Sequence, residues 1–212
     1  MLPQLQRFLR APLWEKINLL SHAGALLKTQ AYYRFAFGSL GAGSILWRPV
    51  MLHNTRFVHV GKKVLIRDGA RFDLVTEMGG VRFQPRVEIG DGSLFEQGLH
   101  LACAREIIIG RKVTVSRNVG ILDVWHEYGD VTLPIIEQPL GASPVRIMDG
   151  VLIGMGSVIL PGVTIGRQSI IGANSVVNRD VPDYCVAAGT PAHVIKRYDQ
   201  EKNLWIRVSE EG

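Results

Sequence analysis

From residue 147 onward, the sequence divides into consecutive groups of six residues that share one pattern. The first position of every group is aliphatic, and these first positions are Ile147, Ile153, Ile159, Ile165, Ile171 and Val177. The second position is glycine in three of the six groups, and the fifth is valine or serine in all of them. An alternating strand, or a helix with about 3.6 residues per turn, would not hold this register for so long. The pattern therefore indicates a repeat architecture built from six-residue units.

Each unit is expected to form a short strand and a turn, and three units complete a triangular coil of 18 residues. A residue then stacks on the residue 18 positions later, which pairs Ile147 with Ile165 and Ile153 with Ile171. The aliphatic first positions fill the interior, the small fifth positions fit the corners, and glycines are expected where φ must turn positive. Because one coil buries little surface alone, stacking on neighbouring coils supplies the stability.

The same period runs upstream with interruptions. Units begin at Val60, Ile66, Phe72, Ile89, Phe95, Leu101, Ile109, Val115 and Ile121, with a slip of two residues before Ile109. The repeats therefore extend from about residue 58 to residue 182, with one long break between Leu122 and Pro144. The 23 glycines among 212 residues agree with many tight turns.

Composition and charge exclude several classes of protein. A hydrophobic content of 47% excludes a wholly disordered chain. The net charge of +5 is modest, so no nucleic-acid partner is expected. Two cysteines, Cys103 and Cys185, are too few for a disulfide framework or a cysteine-rich zinc site. No signal peptide or membrane-spanning apolar stretch is found, which predicts a cytoplasmic protein.

The two ends depart from the repeat. Apolar residues recur at helical spacing before and after Pro12, namely Leu2, Leu5, Phe8 and Leu9, then Leu13, Ile17 and Leu20. One interpretation is a helical cap over the open end of the solenoid. The other is an amphipathic attachment to the inner face of a membrane, with Arg7, Arg10 and Lys16 on the polar side. The C-terminal stretch AHVIKRYDQEKNLWIRV is expected to form a second capping helix or an arm.

The long break holds the residues best suited to chemistry. It reads LDVWHEYGDVTLPIIEQPLGASPV, and long loops in compact domains are usually functional. His126 lies here near Asp123, Glu127 and Asp130, so it is a candidate general base whose tautomer an acid or a backbone carbonyl would fix. The alternative is a solvated loop histidine with acidic neighbours. Gln138 is expected to brace the loop.

The hexads, a loop of the form D-x-x-H-x-Y followed by LPIIEQP, and the segment VAAGTPAHVIKRY resemble the hexapeptide-repeat O-acetyltransferases. The resemblance covers about residues 40–198 and is nearest to the maltose, galactoside and surface-polysaccharide acetyltransferases. It implies an all-β fold, a left-handed parallel β-helix, although such a hand departs from the usual crossover rule. It further implies a homotrimer that transfers acetyl from acetyl-CoA directly to a hydroxyl of a sugar or surface-polysaccharide precursor.

By position, the resemblance makes His126 the catalytic base, with Asp123 beside it in the catalytic group. Val124 stands where the family often has a further histidine, so either His126 is the catalytic residue or activity has been lost. Asn118 and Glu127 become candidate substrate-binding residues. The alternative for Asn118 is a corner residue in the left-handed conformation, which asparagine adopts readily.

The resemblance also implies that the pantetheine arm of acetyl-CoA lies along the last coils, between two subunits. The position-matched contacts are Gly154, Met155, Gly172 and Ala173, with Arg179 and Lys196 near the phosphates. Leu152 stands where the family usually has tryptophan. The alternative explanation for the glycines is turn geometry alone.

Three domains follow: an N-terminal helical cap at 1–40, a β-helix at 41–185 with an excursion loop at 122–146, and a C-terminal helix or tail at 186–212. No metal site is expected, because the six histidines do not recur at whole-coil spacings and His53 and His59 should lie on adjacent faces. The remaining alternative to an enzyme is a non-catalytic scaffold or sugar-nucleotide binding module. A scaffold need not bind acetyl-CoA and would tolerate replacement of His126.

Overall fold

The computed structural model describes residues 11–208, and these form the left-handed parallel β-helix that the resemblance implied. Three sheets, here called A, B and C, are the faces of a triangular prism, and the chain visits them in that order. Sheet A contains β1 (Ser39–Leu40), β4 (Val58–Val60), β9 (Arg86–Ile89), β12 (Glu106–Ile109), β17 (Val145–Ile147) and β20 (Thr164–Ile165). Sheet C contains β3 (Met51–His53), β6 (Arg71–Leu74), β11 (His100–Cys103), β14 (Gly120–Leu122), β19 (Val158–Ile159) and β22 (Val176–Val177).

Sheet B is the longest of the three. It contains β2 (Ile45–Leu46), β5 (Leu65–Ile66), β10 (Leu94–Phe95), β13 (Thr114–Val115), β18 (Leu152–Ile153), β21 (Ile170–Ile171), β23 (Cys185–Gly189), β24 (Ala192–Asp199) and β25 (Leu204–Arg207). Two small antiparallel hairpins stand outside the prism, β7 (Glu77–Met78) with β8 (Val81–Arg82) and β15 (Val124–His126) with β16 (Leu140–Ala142). Short 3-10 helices lie at Tyr33–Phe35, Thr55–Phe57 and Ile135–Glu137.

The predicted stacking register is confirmed in the last coils. Ile147 pairs with Ile165 and Ile153 with Ile171, and all four side chains are buried in the interior. Upstream, the paired positions are 20 residues apart wherever no insertion lies between them, as in Leu101 opposite Ile121. The two extra residues are accommodated by longer strands, because β11 and β12 have four residues each where the regular coils have two.

The serines at the fifth positions are fully buried at the corners of the prism. Ser157 Oγ donates to Gly172 O at 2.9 Å and Ser169 Oγ donates to Pro182 O at 2.7 Å, both in the next coil, and Ser175 Oγ accepts from Gly189 N at 3.1 Å. A buried hydroxyl needs such a partner. The corner serines therefore bond adjacent coils together in addition to fitting the tight space.

The glycine prediction is correct at one position of the repeat and wrong at another. Fourth-position residues have positive φ, for example Gly150 at 72° and Gly156 at 70°. Gly154 and Gly172, at second positions, do not adopt positive φ. A Cβ on Gly154 would lie 2.5 Å from the nitrogen of Ala173 in the next coil. Close approach of stacked backbones requires these second-position glycines.

The sequence showed one break in the repeat, but the structure contains two. The second comprises residues 75–85, between β6 and β9, and includes the β7–β8 hairpin. Its tip is Gly79–Gly80, where both glycines have positive φ. The sequence did not reveal this second break because the pattern of buried apolar residues, interrupted after Phe72, resumes at Ile89 on the same interior ladder.

Helix α1 (Leu13–Ala31) begins directly after Pro12. Its buried Thr29 hydroxyl accepts from Leu46 N at 2.9 Å, which ties the helix to the edge strand β2, and its proton lies within reach of Ala25 O at 2.7 Å and Leu46 O at 3.1 Å. These are the contacts of a cap on the open end of the prism. The helical segment predicted before Pro12 lies outside the described residues.

The C-terminal segment is an arm, so the helical alternative was wrong. Strands β23, β24 and β25 form an antiparallel extension of sheet B. Exposure alternates along β24, and the β-branched Val194 and Ile195 favour a strand. The predicted boundary between residues 185 and 186 falls inside β23, whose Val186 and Ala187 still pair with the coil below.

Candidate functional site

The predicted base His126 ends β15, the first strand of the hairpin in the long break. It lies opposite Leu140 of β16, and Trp125 lies opposite Gly141. The Trp125 ring packs directly over Gly141, where a Cβ would collide with it, and its Nε1 donates to Glu127 Oε1 at 3.1 Å. The hairpin thus fixes His126 at the end of a paired strand, a more rigid position than an irregular loop would give.

The imidazole of His126 is half-buried, and its Nδ1 is buried without a hydrogen-bond partner among residues 11–208. A buried ring nitrogen of this kind normally has a partner. Glu127, predicted to contact substrate, instead accepts the hydrogen bond from Trp125. The tautomer of His126 is therefore not fixed by any neighbour in the described part of the chain.

Asp123, predicted as a catalytic residue with His126, holds a different part of the structure. Its buried carboxylate accepts three backbone N–H groups, from Ala104 at 2.7 Å, Arg105 at 2.8 Å and Glu106 at 2.6 Å. Its carbonyl also accepts from Ser143 N at 2.8 Å, which closes the base of the hairpin. Asp123 therefore anchors the hairpin that carries His126, and its place in the catalytic group stays a prediction.

The rest of the hairpin is braced from within, as predicted for Gln138. The buried Gln138 amide donates to Asp130 O at 2.8 Å and to Leu133 O at 3.2 Å, and its Oε1 accepts from Asp130 N at 3.1 Å. The tip of the β7–β8 hairpin packs against the same segment, since a Cβ on Gly79 would lie 3.4 Å from Pro139 Cα. Both insertions leave the prism at the corner between sheets C and A, here called the C–A corner.

Four of the predicted cofactor contacts lie at another corner, between sheets B and C, here called the B–C corner. Gly154 and Met155 follow β18, and Gly172 and Ala173 follow β21 one coil later. Met155 and Ala173 are exposed there. Asn118 shares this corner on an earlier coil and has φ of 55°, as its corner interpretation predicted.

The other two predicted cofactor contacts are not at the B–C corner. Arg179 lies between β22 and the bridge at Val181, which places it at the C–A corner. Lys196 is on β24 in the C-terminal arm, between Val186 of β23 and Arg207 of β25. Within one chain the structure therefore does not gather the six residues into one site.

Neither cysteine has the environment of a nucleophile. Burial raises the pKa of Cys103 well above its usual range, and the neighbouring Asp123 carboxylate raises it further. Burial also raises the pKa of Cys185. A thiol in such surroundings is inert, because the thiolate is the reactive form.

The other histidines do not converge with His126. His53 and His59 lie in sheets C and A, as their spacing predicted. His53 Nδ1 lies 3.1 Å from Asp73 Oδ1, and Arg71 donates to the same carboxylate at 2.9 Å. Burial alone would raise the pKa of Asp73, but these two hydrogen bonds lower it below its usual value. Within residues 11–208, no group of three or more histidine, cysteine or acidic side chains is placed to hold a metal ion.

Comparison with known proteins agrees with the repeat and the fold. The sequence model of the family described as "Bacterial transferase hexapeptide (six repeats)" matches residues 144–179. The probable acetyltransferase Rv3034c of Mycobacterium tuberculosis is 36% identical over 141 residues, covering 66% of this chain but only 42% of that protein. The putative lipopolysaccharide biosynthesis O-acetyl transferase WbbJ of Escherichia coli is 29% identical over 189 residues, covering 85% of this chain and 88% of that one.

Among solved structures, the N-acyltransferase AntD of Bacillus cereus, in complex with dTDP and 3-hydroxybutyryl-CoA, has the same fold. The TM-score is 0.66 at 19% identity, with 82% of this chain and 90% of that chain covered. The repeats, their register and these likenesses together show a hexapeptide-repeat fold that is similar to the fold of known acyltransferases.

Proposed function

We propose that this protein is an acetyl-CoA-dependent O-acetyltransferase acting on a hydroxyl of a sugar or surface-polysaccharide precursor. The observation that carries the proposal is His126, held at the end of a paired strand on a hairpin that a buried carboxylate anchors to the prism. A solenoid needs no such insertion for stability. The names of its relatives, two acetyltransferases, support acetyl as the transferred group.

In the proposed reaction, His126 takes the proton from the acceptor hydroxyl as its oxygen attacks the thioester carbonyl of acetyl-CoA. The C–S bond then breaks, and the imidazolium returns the proton to the departing CoA thiolate. No acyl-enzyme forms, which agrees with the burial of Cys103 and Cys185. The unpartnered Nδ1 of His126 leaves the tautomer to be fixed by a group outside residues 11–208.

A homotrimer is part of the proposal. His126 extends from the C–A corner, whereas Gly154, Met155, Gly172 and Ala173 line the B–C corner. One chain therefore offers the base and the cofactor-binding residues at opposite ends of the strands of sheet C. A neighbouring copy that presents its B–C corner to this hairpin would complete the site.

A sugar acceptor is supported by two comparisons. WbbJ is named for lipopolysaccharide biosynthesis, and AntD was solved with dTDP, a nucleotide carrier of sugars. The AntD complex also contains 3-hydroxybutyryl-CoA, so acyl donors longer than acetyl belong in any assay.

The test is release of free CoA thiol from acetyl-CoA, over a panel of sugars and nucleotide sugars, with wild type and the H126N variant. Loss of a general base lowers the rate about 10²- to 10⁴-fold. A matched control is H22N, because His22 is an exposed histidine on α1, outside the hairpin. Direct binding of acetyl-CoA is measured on the same preparations.

Acceptor-dependent release that collapses in H126N but persists in H22N supports the proposal. Release that is equal in wild type and H126N overturns the assignment of the base. Absence of both release and acetyl-CoA binding favours a non-catalytic scaffold.

A further inference from the structure

Helix α1 has two apolar faces, of which only one is covered by other residues in the range 11–208. The covered face contains Thr29, which is buried, and the half-buried Leu19, Ala25 and Leu26. Glu15 lies on this side of the helix as well, since it is four residues before Leu19. This face explains how the helix caps the prism.

The opposite face is a stripe of apolar residues exposed to solvent. Leu13, Ile17, Leu20 and Leu27 follow helical spacing along it, and their side chains are 43% to 70% exposed. Packing within the described part of the chain does not account for these apolar side chains, because they remain exposed. Exposed apolar patches of this kind mark interaction sites.

The charges beside the stripe are positive. By helical geometry, Lys16 and Lys28 lie on its two edges, about 60° to either side. Lysines in such positions keep the ammonium group in the polar layer while their methylene stems lie along the apolar surface. Like charges on both edges would oppose each other if two copies of this helix paired face to face, so they disfavour a second copy as the occupant.

The whole excess charge of the protein lies at this end. Residues 1–53 contain six of the 24 lysines and arginines but one of the 19 acids, which accounts for the net charge of +5. Residues 54–212 are balanced, with 18 basic and 18 acidic side chains. The prism is therefore neutral as a whole, and its helical cap is cationic.

Exposed aromatic side chains flank the stripe at both ends. Trp14 is 75% exposed at the start of the helix, and Tyr32 and Phe35 are 68% and 79% exposed just beyond its end. Arg34 lies over the Phe35 ring at 5.3 Å. Aromatic rings with a cation nearby are favoured at the boundary between lipid headgroups and acyl chains.

We propose that the outer face of α1 lies in the plane of an anionic membrane surface, with its leucines in the acyl boundary and its lysines among the headgroups. No helix within residues 11–208 is long and apolar enough to cross a bilayer. The contact is peripheral, and it holds the neutral prism beside the membrane. This inference does not depend on the proposed function, because vesicle binding needs neither acetyl-CoA nor an acceptor.

The test is sedimentation of the full chain with vesicles of phosphatidylcholine and phosphatidylglycerol, and with vesicles of phosphatidylcholine alone. Wild type should bind the anionic vesicles, less tightly at high salt. K16Q/K28Q should weaken binding about fivefold for each lysine, since a lysine near an anionic surface contributes about 1 kcal/mol. L20S/L27S should weaken it about tenfold or more for each leucine, since burying a leucine contributes about 1.5–3 kcal/mol.

Matched controls use residues away from α1. K62Q/K63Q removes two exposed lysines from the prism, and L204S removes a leucine that is 48% exposed on β25. Both should bind vesicles as wild type does. Thermal melts followed by circular dichroism should show that every variant folds, with K16Q/K28Q melting slightly lower because Lys28 Nζ lies over the buried Tyr33 ring at 5.1 Å.

Three results would overturn the inference. The first is wild type that remains in the supernatant with anionic vesicles. The second is binding that depends on the lysines but not on the leucines, which would mean charge adsorption alone. The third is a change of oligomeric mass in L20S/L27S by light scattering without vesicle binding, which would assign the stripe to a second copy of the chain.

Discussion

Replacing Asp123 by asparagine tests whether this acid anchors the His126 hairpin. Oδ1 accepts from Ala104 N at 2.7 Å, and Oδ2 accepts from Arg105 N at 2.8 Å and Glu106 N at 2.6 Å. All surrounding groups are donors, so an asparagine of the same shape can place its single oxygen at only one of the two positions. The side-chain NH₂ group then occupies the other position and faces a backbone N–H. Neither the NH₂ group nor that backbone N–H has an acceptor there.

The expected cost follows from counting these bonds. One buried N–H loses its acceptor, which costs about 1–3 kcal/mol. The two remaining bonds change from charged to neutral acceptors, and each weakens by about 1 kcal/mol. D123N should therefore lower the free energy of unfolding by about 3–5 kcal/mol.

The measurement is equilibrium unfolding in urea at one fixed chain concentration, because assembly would otherwise alter the apparent stability. D130N is the control, since Asp130 is an exposed acid in the same hairpin that accepts bonds from Thr132. It should change the free energy by less than about 1 kcal/mol. If D123N is as stable as D130N, the carboxylate does not anchor the hairpin, and a role beside His126 regains support.

Three further outcomes are expected. Gly154→Ala should destabilise the protein, because its Cβ would lie 2.5 Å from the backbone nitrogen of Ala173 in the next coil. Gly24→Ala should stabilise α1 by about 0.5–1 kcal/mol, because a Cβ there would have nothing within 4 Å. Thermal melts of the two variants compare these effects. Cys103 and Cys185 should react with a thiol reagent only after unfolding in guanidinium, and fast labelling of the native protein would contradict their burial. The pKa of Asp73 is lowered in the folded state, so its carboxylate stabilises the fold above the unfolded pKa of 3.8, and this stabilisation disappears as the pH falls. Asp73→Asn should therefore reduce the loss of unfolding free energy between neutral and acid pH. An unchanged slope of unfolding free energy against pH would refute this.

Much of the fold could be predicted because the repeat is local. An aliphatic residue at every sixth position leaves few ways to bury it, and Ile153 stacks on Ile171 as the spacing requires. The same periodicity exposed the insertion that carries His126, since a break in a regular solenoid stands out. Asn118 could also be anticipated as a corner residue from its place in the unit.

Prediction failed where a side chain's partner lies in another coil. Asp123 is beside His126 in sequence, but its carboxylate turns to residues 104–106, which the coil brings opposite it. Likewise, Gly154 appeared to serve a turn and instead makes room for Ala173 of the next coil. The signal for Asp123 was its position at the end of an interior ladder, directly after β14.

The sequence by itself determined the period, the interior ladder and the insertion that carries His126, because each depends on residues close together in the chain. Only the tertiary structure decided that the predicted base and Met155 lie at different corners of one prism, and that α1 has an uncovered apolar stripe. The physical reason is that a repeat fixes which residues face inward at each coil. Which outward-facing groups meet, and which remain exposed, depends on how successive coils and insertions stack in three dimensions.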